Sequence, residues 1–438
     1  MGPWLDSITD WLTLNPQWLA AAVLIVACVE CLAIVGLIVP GTVLLFAIAT
    51  LAGSGALPLG ETLLLGLLGG LLGDGVSYAL GRHFHQKIRG LPGLRQHPEW
   101  MTGAETYFHK YGIASLLVGR FIGPLRPMLP MVAGMCDMPF PRFAAVSVLA
   151  SAGWSVAYLL PGWATGAALR LPLPEHFWLQ AGIVAACLAV LIGVSLNSTL
   201  RGHRRATLWI GCISAVLLIA LFIGYPRLSD FDRGLMALVQ EHRGPVMDHA
   251  MVMVTQLGEF KKMFVASAVL TGLLLVMRQW RQAIFVGATL AGAALINTGT
   301  KLFFARLRPE VLTDPLTSFS MPSGHASGSF AFFLALAVLA GRGQPTRMRL
   351  TWLLLGCLPA ATIALSRVYL GAHWPTDILA GALLAMTVCA LSLTASQHRS
   401  LLPAMPARAW WVILPVCATV LGVIAFTGTK HALMRYAY

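Results

Sequence analysis

Apolar runs of membrane-crossing length recur along nearly the whole chain, and no other feature constrains the fold as strongly. They fall at approximately 19–57, 62–81, 112–135, 143–168, 177–198, 206–224, 263–277, 283–304, 326–340, 350–370, 376–394 and 409–427. A helix needs about 20 apolar residues to cross the hydrocarbon of a bilayer. Charged residues make up only 11% of the 438 residues, against about 25% in soluble domains, too few to cover a soluble globule. The pattern predicts an all-α, polytopic membrane protein.

A formal net charge of +13 invites a nucleic-acid reading, but the placement of the basic residues excludes it. They stand in short clusters between apolar runs, as orientation signals do, and part of the excess will meet anionic head groups. The eight cysteines lie in or beside apolar segments, and only Cys28 and Cys31 are close together. Buried free thiols are therefore expected, with no metal site. The first 18 residues lack a basic n-region and a cleavage site. Trp4, Leu5, Trp11 and Trp18 suit an interfacial amphipathic segment.

The basic stretch at 201–205 (Arg201, Arg204, Arg205) parts the runs into two groups with different motifs, giving expected domains at 1–200 and 201–397 and an appended C-terminal transmembrane helix within 398–438. Two runs of the first group are interrupted. The 19–57 run is broken at Pro40-Gly41, and the 112–135 run by Pro124, Pro127 and Pro130. Proline removes a helix hydrogen bond and clashes with the preceding turn, so each run is expected to turn back inside the membrane as a re-entrant hairpin. Broken backbone at that depth persists only where protein or a cavity satisfies it, and paired interruptions point to a transport-type site.

In the second group the basic clusters are Arg201, Arg204 and Arg205, then Arg278 and Arg281, then Arg342, Arg347 and Arg349, then Arg399 and Arg408. Counting single crossings puts all four on one side, the cytoplasmic one by the positive-inside rule. The loops at 305–325 and 371–375 then face outward.

Those outward loops hold the densest chemistry. Lys301 and Arg308-Pro309 are followed by Pro322-Ser323-Gly324-His325, then by Ser366-Arg367, His373 and Asp377. Lys301, Arg308 and Arg367 are cations at helix ends, and arginine grips phosphate oxygens bidentately. Ser323 and Gly324 precede an apolar helix whose amides and positive end suit an anion. His373 and Asp377, four apart, are expected on one face at a helix start. Asp377 could then hold one imidazole nitrogen while the other attacks phosphorus, with His325 as the acid for the leaving oxygen. Arg306 stands near the motif without belonging to it, and suits a head-group or leaving-group contact.

In order and spacing these elements resemble the signature of the type-2 phosphatidic acid phosphatase superfamily, which includes bacterial acid phosphatases and vanadium haloperoxidases. The resemblance spans roughly 206–395 and implies a six-helix bundle with no metal or other cofactor. It implies Lys301, Arg308, Ser323, Gly324 and Arg367 as phosphate ligands, His325 as acid, His373 as nucleophile and Asp377 as its partner.

The first group carries ionisable residues at membrane depth: Glu30, Asp74 after a glycine-rich stretch at 69–73, and Arg120 and Arg126 flanking the proline break. Such residues are normally paired or line a polar path, and Glu30 with Arg120 or Arg126 is the expected pair. Over approximately 15–200 these features resemble the DedA family. The match rests on Glu30, Pro40-Gly41, Gly73-Asp74, Tyr78, Gly81-Arg82, and the stretch Arg120, Pro124, Arg126, Pro130, Ala133-Gly134, with Met138 and Phe143. Two positions depart from the family pattern: Thr42 stands where an acid follows the Pro-Gly break, and His85 where a glycine is expected. The resemblance implies movement of phospholipid or undecaprenyl phosphate coupled to proton or sodium gradients, with Glu30, Asp74, Arg120 and Arg126 at the transport site.

The two halves together lead to the expectation of a bacterial inner-membrane lipid phosphatase with its site facing the periplasm. Its partners would be membrane lipids and a lipid phosphate, with undecaprenyl diphosphate foremost. The alternative is a phosphatase for phosphatidic acid, phosphatidylglycerol phosphate or lipid A phosphate on a DedA-like scaffold that does not transport.

Overall fold

The computed structural model describes residues 11–12, 14–33, 35–38, 41–85, 87, 98–121, 126–201, 205–312, 317–398, 400–426 and 436. Trp4, Leu5, Pro40, Pro124, Arg204 and Arg399 lie outside them, as does the Arg347 side chain. Every regular element among the described residues is helical, and eight of the helices are long and apolar enough to span a membrane. The chain divides into two compact units, Met1–Pro172 and Leu173–Tyr438.

The first unit contains α1 (Leu19–Cys31), α2 (Val35–Ile38), α3 (Gly41–Leu51), α4 (Leu59–Phe84), α5 (Pro98–Tyr111), α6 (Ile113–Gly119), α7 (Met128–Met135) and α8 (Phe140–Arg170). With 13 and 11 residues, α1 and α3 are only about 20 and 16 Å long at about 1.5 Å per residue. Neither spans about 30 Å of hydrocarbon, and the two pack against each other, as a re-entrant pair does. The 112–135 run likewise breaks into α6 and α7. Between these pairs run the long α4 and α8. The close approach of α4 to α1 rests on a missing side chain: a Cβ on Gly73 would sit 2.4 Å from the Cys28 carbonyl oxygen.

The second unit contains α9 (Phe177–Leu200), α10 (Ala206–Gly224), α11 (Ser229–Glu241), α12 (Pro245–Leu257), α13 (Phe260–Val276), α14 (Trp280–Phe304), α15 (Gly324–Gly341), α16 (Thr346–Tyr369), α17 (Pro375–Ser396) and α18 (Ala407–Phe426). The division differs from the sequence boundary at 200/201. α9 packs on α10 and α11, with Phe177 stacked on Phe231 and the Gln180 side chain accepting the Phe231 N–H at 2.8 Å. The basic stretch that suggested a domain border lies inside the second unit instead, because a charge cluster carries no information about packing. Nor does α18 stand apart. Its Ile413 and Cys417 are buried in the same core as Leu270, Phe285 and Phe332.

The basic clusters gather at one end of this unit. Arg281 donates to the carbonyls of Ser396, Ser400 and Leu401, at 3.0, 2.7 and 3.2 Å, and Arg342 to that of Leu402 at 3.0 Å. The helix ends bearing Lys301, Ser323 and Arg367 lie at the opposite end of α14, α15 and α16.

Candidate functional site

Chain terminators of the helices place the second unit's polar residues. Lys301 occupies the last turn of α14, which Ala305 ends with a left-handed backbone (φ 45°). Arg306 to Pro309 follow at once. Ser323 caps α15, its hydroxyl accepting the Ala326 N–H at 3.4 Å. Arg367 lies in the last turn of α16, and the chain then reverses through Gly371. There φ is +68° and a Cβ would strike Val311 at 2.7 Å, so only glycine fits.

His373 sits in this turn and not on the helix. α17 begins at Pro375, a favoured first helical residue, and Asp377 in its first turn accepts the Trp374 N–H at 2.9 Å. The expected contact between positions 373 and 377 is thus made across the helix cap, with His373 Nδ1 3.4 Å from Asp377 Oδ2. On the other side of the ring, Arg308 Nη1 lies 3.0 Å from Nε2. A guanidinium can only donate, so Nε2 must carry the lone pair and Nδ1 the proton; Nδ1 lies beside the carboxylate without a hydrogen bond to it. His373 is buried. Burial first, then the charges of Arg308, Arg367, Lys301 and His325, hold it well below the usual histidine range. Both effects favour the neutral imidazole, with Nε2 among cations.

Arg308 is fixed by donating to the Ser318 carbonyl (2.6 Å), the Ser318 hydroxyl (2.9 Å) and the Ala372 carbonyl (2.5 Å). Arg367 is fully buried and donates to Thr255 Oγ1 at 2.9 Å and to the Tyr436 hydroxyl at 2.6 Å, while its Nε has no partner. His325 packs against Gly258, where a Cβ would meet its ring at 3.0 Å. Ser323 departs from expectation in one respect: its amide donates to the Asp377 carbonyl at 3.0 Å, so the amides that α15 can offer an anion begin at Gly324.

Arg306 is not a head-group contact. Its Nη1 donates to Asp377 Oδ1 at 2.8 Å and to Thr376 Oγ1 at 2.7 Å, and its Nη2 to Asp232 Oδ2 at 2.6 Å. The sequence reading assigned it by nearness to the motif, and missed the two buried carboxylates that claim both arms of its fork. Asp232 itself was not singled out.

In the first unit the four ionisable residues come together as two buried ion pairs, Arg126 with Glu30 and Arg120 with Asp74. Thr42 donates to Glu30 at 2.9 Å, and Ser147 to Asp74 at 2.5 Å. Arg126 also donates to the Tyr158 hydroxyl at 2.8 Å, and Arg120 lies 5.1 Å over the Trp154 ring. A cavity of about 10 Å³ lined by Asp74, Arg120, Arg126 and Ser147 has room for about one water. In the same unit Glu30 Oε2, Arg120 Nε and Trp154 Nε1 are buried without hydrogen-bond partners, and unpaired buried polar atoms are costly.

The two constellations fall on two family matches. Residues 39–164 match the VTT domain, and residues 282–401 the PAP2 superfamily. Inner membrane protein YabI of Escherichia coli is 38% identical over 165 residues, which cover 38% of this chain and 65% of YabI. An uncharacterized membrane protein of Buchnera aphidicola is 35% identical over 194 residues, covering 43% of this chain and 77% of that protein. The chain belongs to the VTT (DedA) family and carries a PAP2 superfamily domain. A solved PAP2-type phosphatidylglycerolphosphate phosphatase of Bacillus subtilis is also similar, at 20% identity and a TM-score of 0.40, covering 43% of this chain and 97% of its own.

The PAP2 match takes in every expected residue from Lys301 to Asp377 but not Asp232, and the VTT match takes in Asp74, Arg120 and Arg126 but starts after Glu30. Asp232 therefore joins the PAP2 site from outside the matched segment, as Glu30 joins the VTT site. Ser147, Trp154 and Tyr158, also unforeseen, sit in an apolar run of the VTT domain whose pattern reads as plain membrane helix.

Proposed function

We propose that this chain is a bacterial inner-membrane lipid phosphatase acting through a phosphohistidine, with a fused VTT domain that carries the lipid monophosphate product across the bilayer. The observation that carries the reading is His373: a buried neutral imidazole whose Nε2 lone pair faces Arg308 while a carboxylate stands behind Nδ1. In the first step Nε2 attacks phosphorus and the bond from phosphorus to the leaving oxygen breaks. His325 gives that oxygen its proton. Water then attacks the phosphohistidine, His325 takes the water's proton, and inorganic phosphate leaves with His373 restored. Lys301, Arg308, Arg367 and the start of α15 at Ser323 and Gly324 bind the phosphoryl oxygens, where such charge stabilisation supplies most of the catalysis.

Two observations support a lipid substrate at the outer face. Leu302, Phe303 and Leu307 are exposed beside Lys301 and Arg308, offering apolar surface to a tail whose head is held by the cations. The site lies at the end of the unit opposite the Arg281 and Arg342 cluster, which the positive-inside rule places in the cytoplasm. A diphosphate on a long-chain isoprenoid such as undecaprenyl diphosphate suits both domains, because its monophosphate product must return to the inner leaflet. Fusion raises the product's local concentration at a carrier. In the VTT domain Glu30, Asp74, Arg120 and Arg126 are the residues that would take the phosphate, with a proton or sodium ion as the coupled species.

The test is phosphate release by the purified full chain in detergent from undecaprenyl diphosphate, phosphatidic acid, phosphatidylglycerol phosphate and lipid A phosphate, alongside His373→Ala. Release from undecaprenyl diphosphate above the others, lost in the variant, is expected. Preference for a glycerophospholipid or for lipid A overturns the carrier-recycling part. Equal activity with and without His373 overturns the phosphohistidine.

A further inference from the structure

The most developed polar network of the second unit lies behind the nucleophile and not in front of it. Asp232, on α11, is 1% exposed. Its Oδ1 accepts the Thr376 N–H at 2.9 Å, and its Oδ2 accepts the Thr376 hydroxyl at 2.7 Å and Arg306 Nη2 at 2.6 Å. Arg306 then reaches Asp377 through Nη1, and its guanidinium lies 4.8 Å over Tyr225 and 5.7 Å over Trp374. The result is a line of contacts, Asp232, Arg306, Asp377, His373, in which Arg306 is half-buried and the last step is a 3.4 Å approach between a carboxylate and an imidazole.

Two consequences follow from the charges and the geometry. Asp377 has one oxygen held by Arg306 and the other by the Trp374 N–H, so the carboxylate cannot rotate away from His373. A planar guanidinium holds the two carboxylates in a fixed mutual orientation through its rigid fork, which the freely rotating donors of an ammonium do not. Asp232 also competes for the charge on Arg306. With one arginine shared between two carboxylates, a net negative charge is left to answer the positive charge that His373 gains as Nε2 bonds phosphorus. Were Asp232 neutral, Arg306 would neutralise Asp377 alone, and that pull on Nδ1–H would weaken.

The geometry points to Asp232 and Arg306 as positioning residues that orient Asp377 and preserve its charge for the His373 step, an inference that rests on the phosphatase reading above. Neither touches substrate. Their effect belongs in kcat, because phosphate binding falls to Lys301, Arg308 and Arg367. A clamp that merely tied α11 to α17 would instead lower thermal stability and disturb kcat and KM together.

The experiment compares kcat, KM and melting temperature of the full chain with those of Arg306→Gln, Arg306→Lys, Asp232→Asn, the double variant Asp232→Asn/Arg306→Gln, and His373→Ala. It adds free guanidinium chloride to Arg306→Ala. Arg306→Gln is expected to lose about 100-fold in kcat, the scale of an approximately 1 Å misplacement, with KM within about threefold. Arg306→Lys should recover part of that loss, and guanidinium should raise the Arg306→Ala rate about tenfold or more without changing the wild type. The double variant removes Arg306 together with the Asp232 charge and leaves Asp377 with the Trp374 N–H. A variant that melts near the wild type while staying slow separates the role from folding. Wild-type activity lost in His373→Ala but retained within about threefold in Arg306→Gln or in the double variant overturns the positioning role alone. Activity undiminished in His373→Ala overturns the phosphatase mechanism beneath it.

Discussion

Replacing Asp377 by asparagine tests the site at its most constrained point. The amide is nearly isosteric, so the fold is preserved, yet neither orientation satisfies the neighbours. With the amide nitrogen at the Oδ2 position, it faces two donors, the Trp374 N–H and His373 Nδ1–H. At the Oδ1 position it faces Arg306 Nη1. The first orientation is relieved if the ring changes tautomer, but Nε2 then carries the proton, only 3.0 Å from a guanidinium that also donates. Restoring the reactive tautomer means opposing two buried donors, at about 2 kcal/mol. The lost carboxylate adds to this. At 3.4 Å and an effective dielectric of about 20, two full charges interact by about 5 kcal/mol, or about 2.5 if the ring gains half a charge in the transition state. The sum is about 4.5 kcal/mol, a fall in kcat of about 10³- to 10⁴-fold at about 1.36 kcal/mol per decade. KM should stay within about threefold. Steady-state phosphate release on the best lipid of the panel measures both. An Asp377→Asn variant within about tenfold of wild-type kcat would refute the tautomer assignment.

Arg308→Lys keeps the charge but loses the fork anchored on Ser318 and Ala372, so kcat/KM should fall about 100-fold in the same assay. Because His373 is held well below the usual histidine range, the unfolded chain binds a proton near pH 6.5 and below that the folded site does not. Stability should then fall with pH through that window, by up to about 1.36 kcal/mol per unit, and His373→Asn should flatten the decline in melting temperature between about pH 7.5 and 5. His85 ends α4 with φ 43°, at the position where the family pattern has glycine. His85→Gly should raise stability by about 1 kcal/mol in a thermal melt, and an unchanged or lower melting temperature would show that the backbone there is unstrained.

How much of the PAP2 site was legible depends on how local its chemistry is. Lys301, Ser323, His325 and Arg367 stand at helix ends, with Arg308 and His373 in the loops just beyond, and apolar periodicity finds helix ends well. Arg306 and Asp232 could not be found that way, since their meaning lies in a contact 74 residues long in sequence. Asp232 also sits on α11, where polar neighbours such as Asp230 and Arg233 make one more acid unremarkable. The helix start before Asp377 was misplaced by two residues, because a histidine and a carboxylate four apart look alike inside a helix and across its cap. In the VTT domain the charged residues were legible by their cost in a membrane, but the choice of partners was not. Arg120 and Arg126 flank one break, and only the packing of α1 and α4 decides which carboxylate each meets.

The charge balance of the two sites differs, and the difference bears on how each can hold a phosphate. Around His373 the cations Lys301, Arg306, Arg308 and Arg367 face the acids Asp232 and Asp377. That surplus suits a phosphate, which carries about −1.5 to −2 near neutral pH. In the VTT site Glu30 and Asp74 offset Arg126 and Arg120 one for one, so an entering phosphate must displace a carboxylate and bury its charge, a cost of several kcal/mol. Removing the charge of the displaced acid removes that cost. Glu30 is held only through Oε1, by Thr42 and Arg126, and its Oε2 is buried without a partner. Glu30→Gln should therefore bind lipid monophosphate more tightly than the wild-type residue does. Binding can be read in nanodiscs on a His373→Ala background, which prevents turnover. If Glu30→Gln binds no more tightly, the phosphate enters without displacing this carboxylate, and the argument from charge balance is refuted.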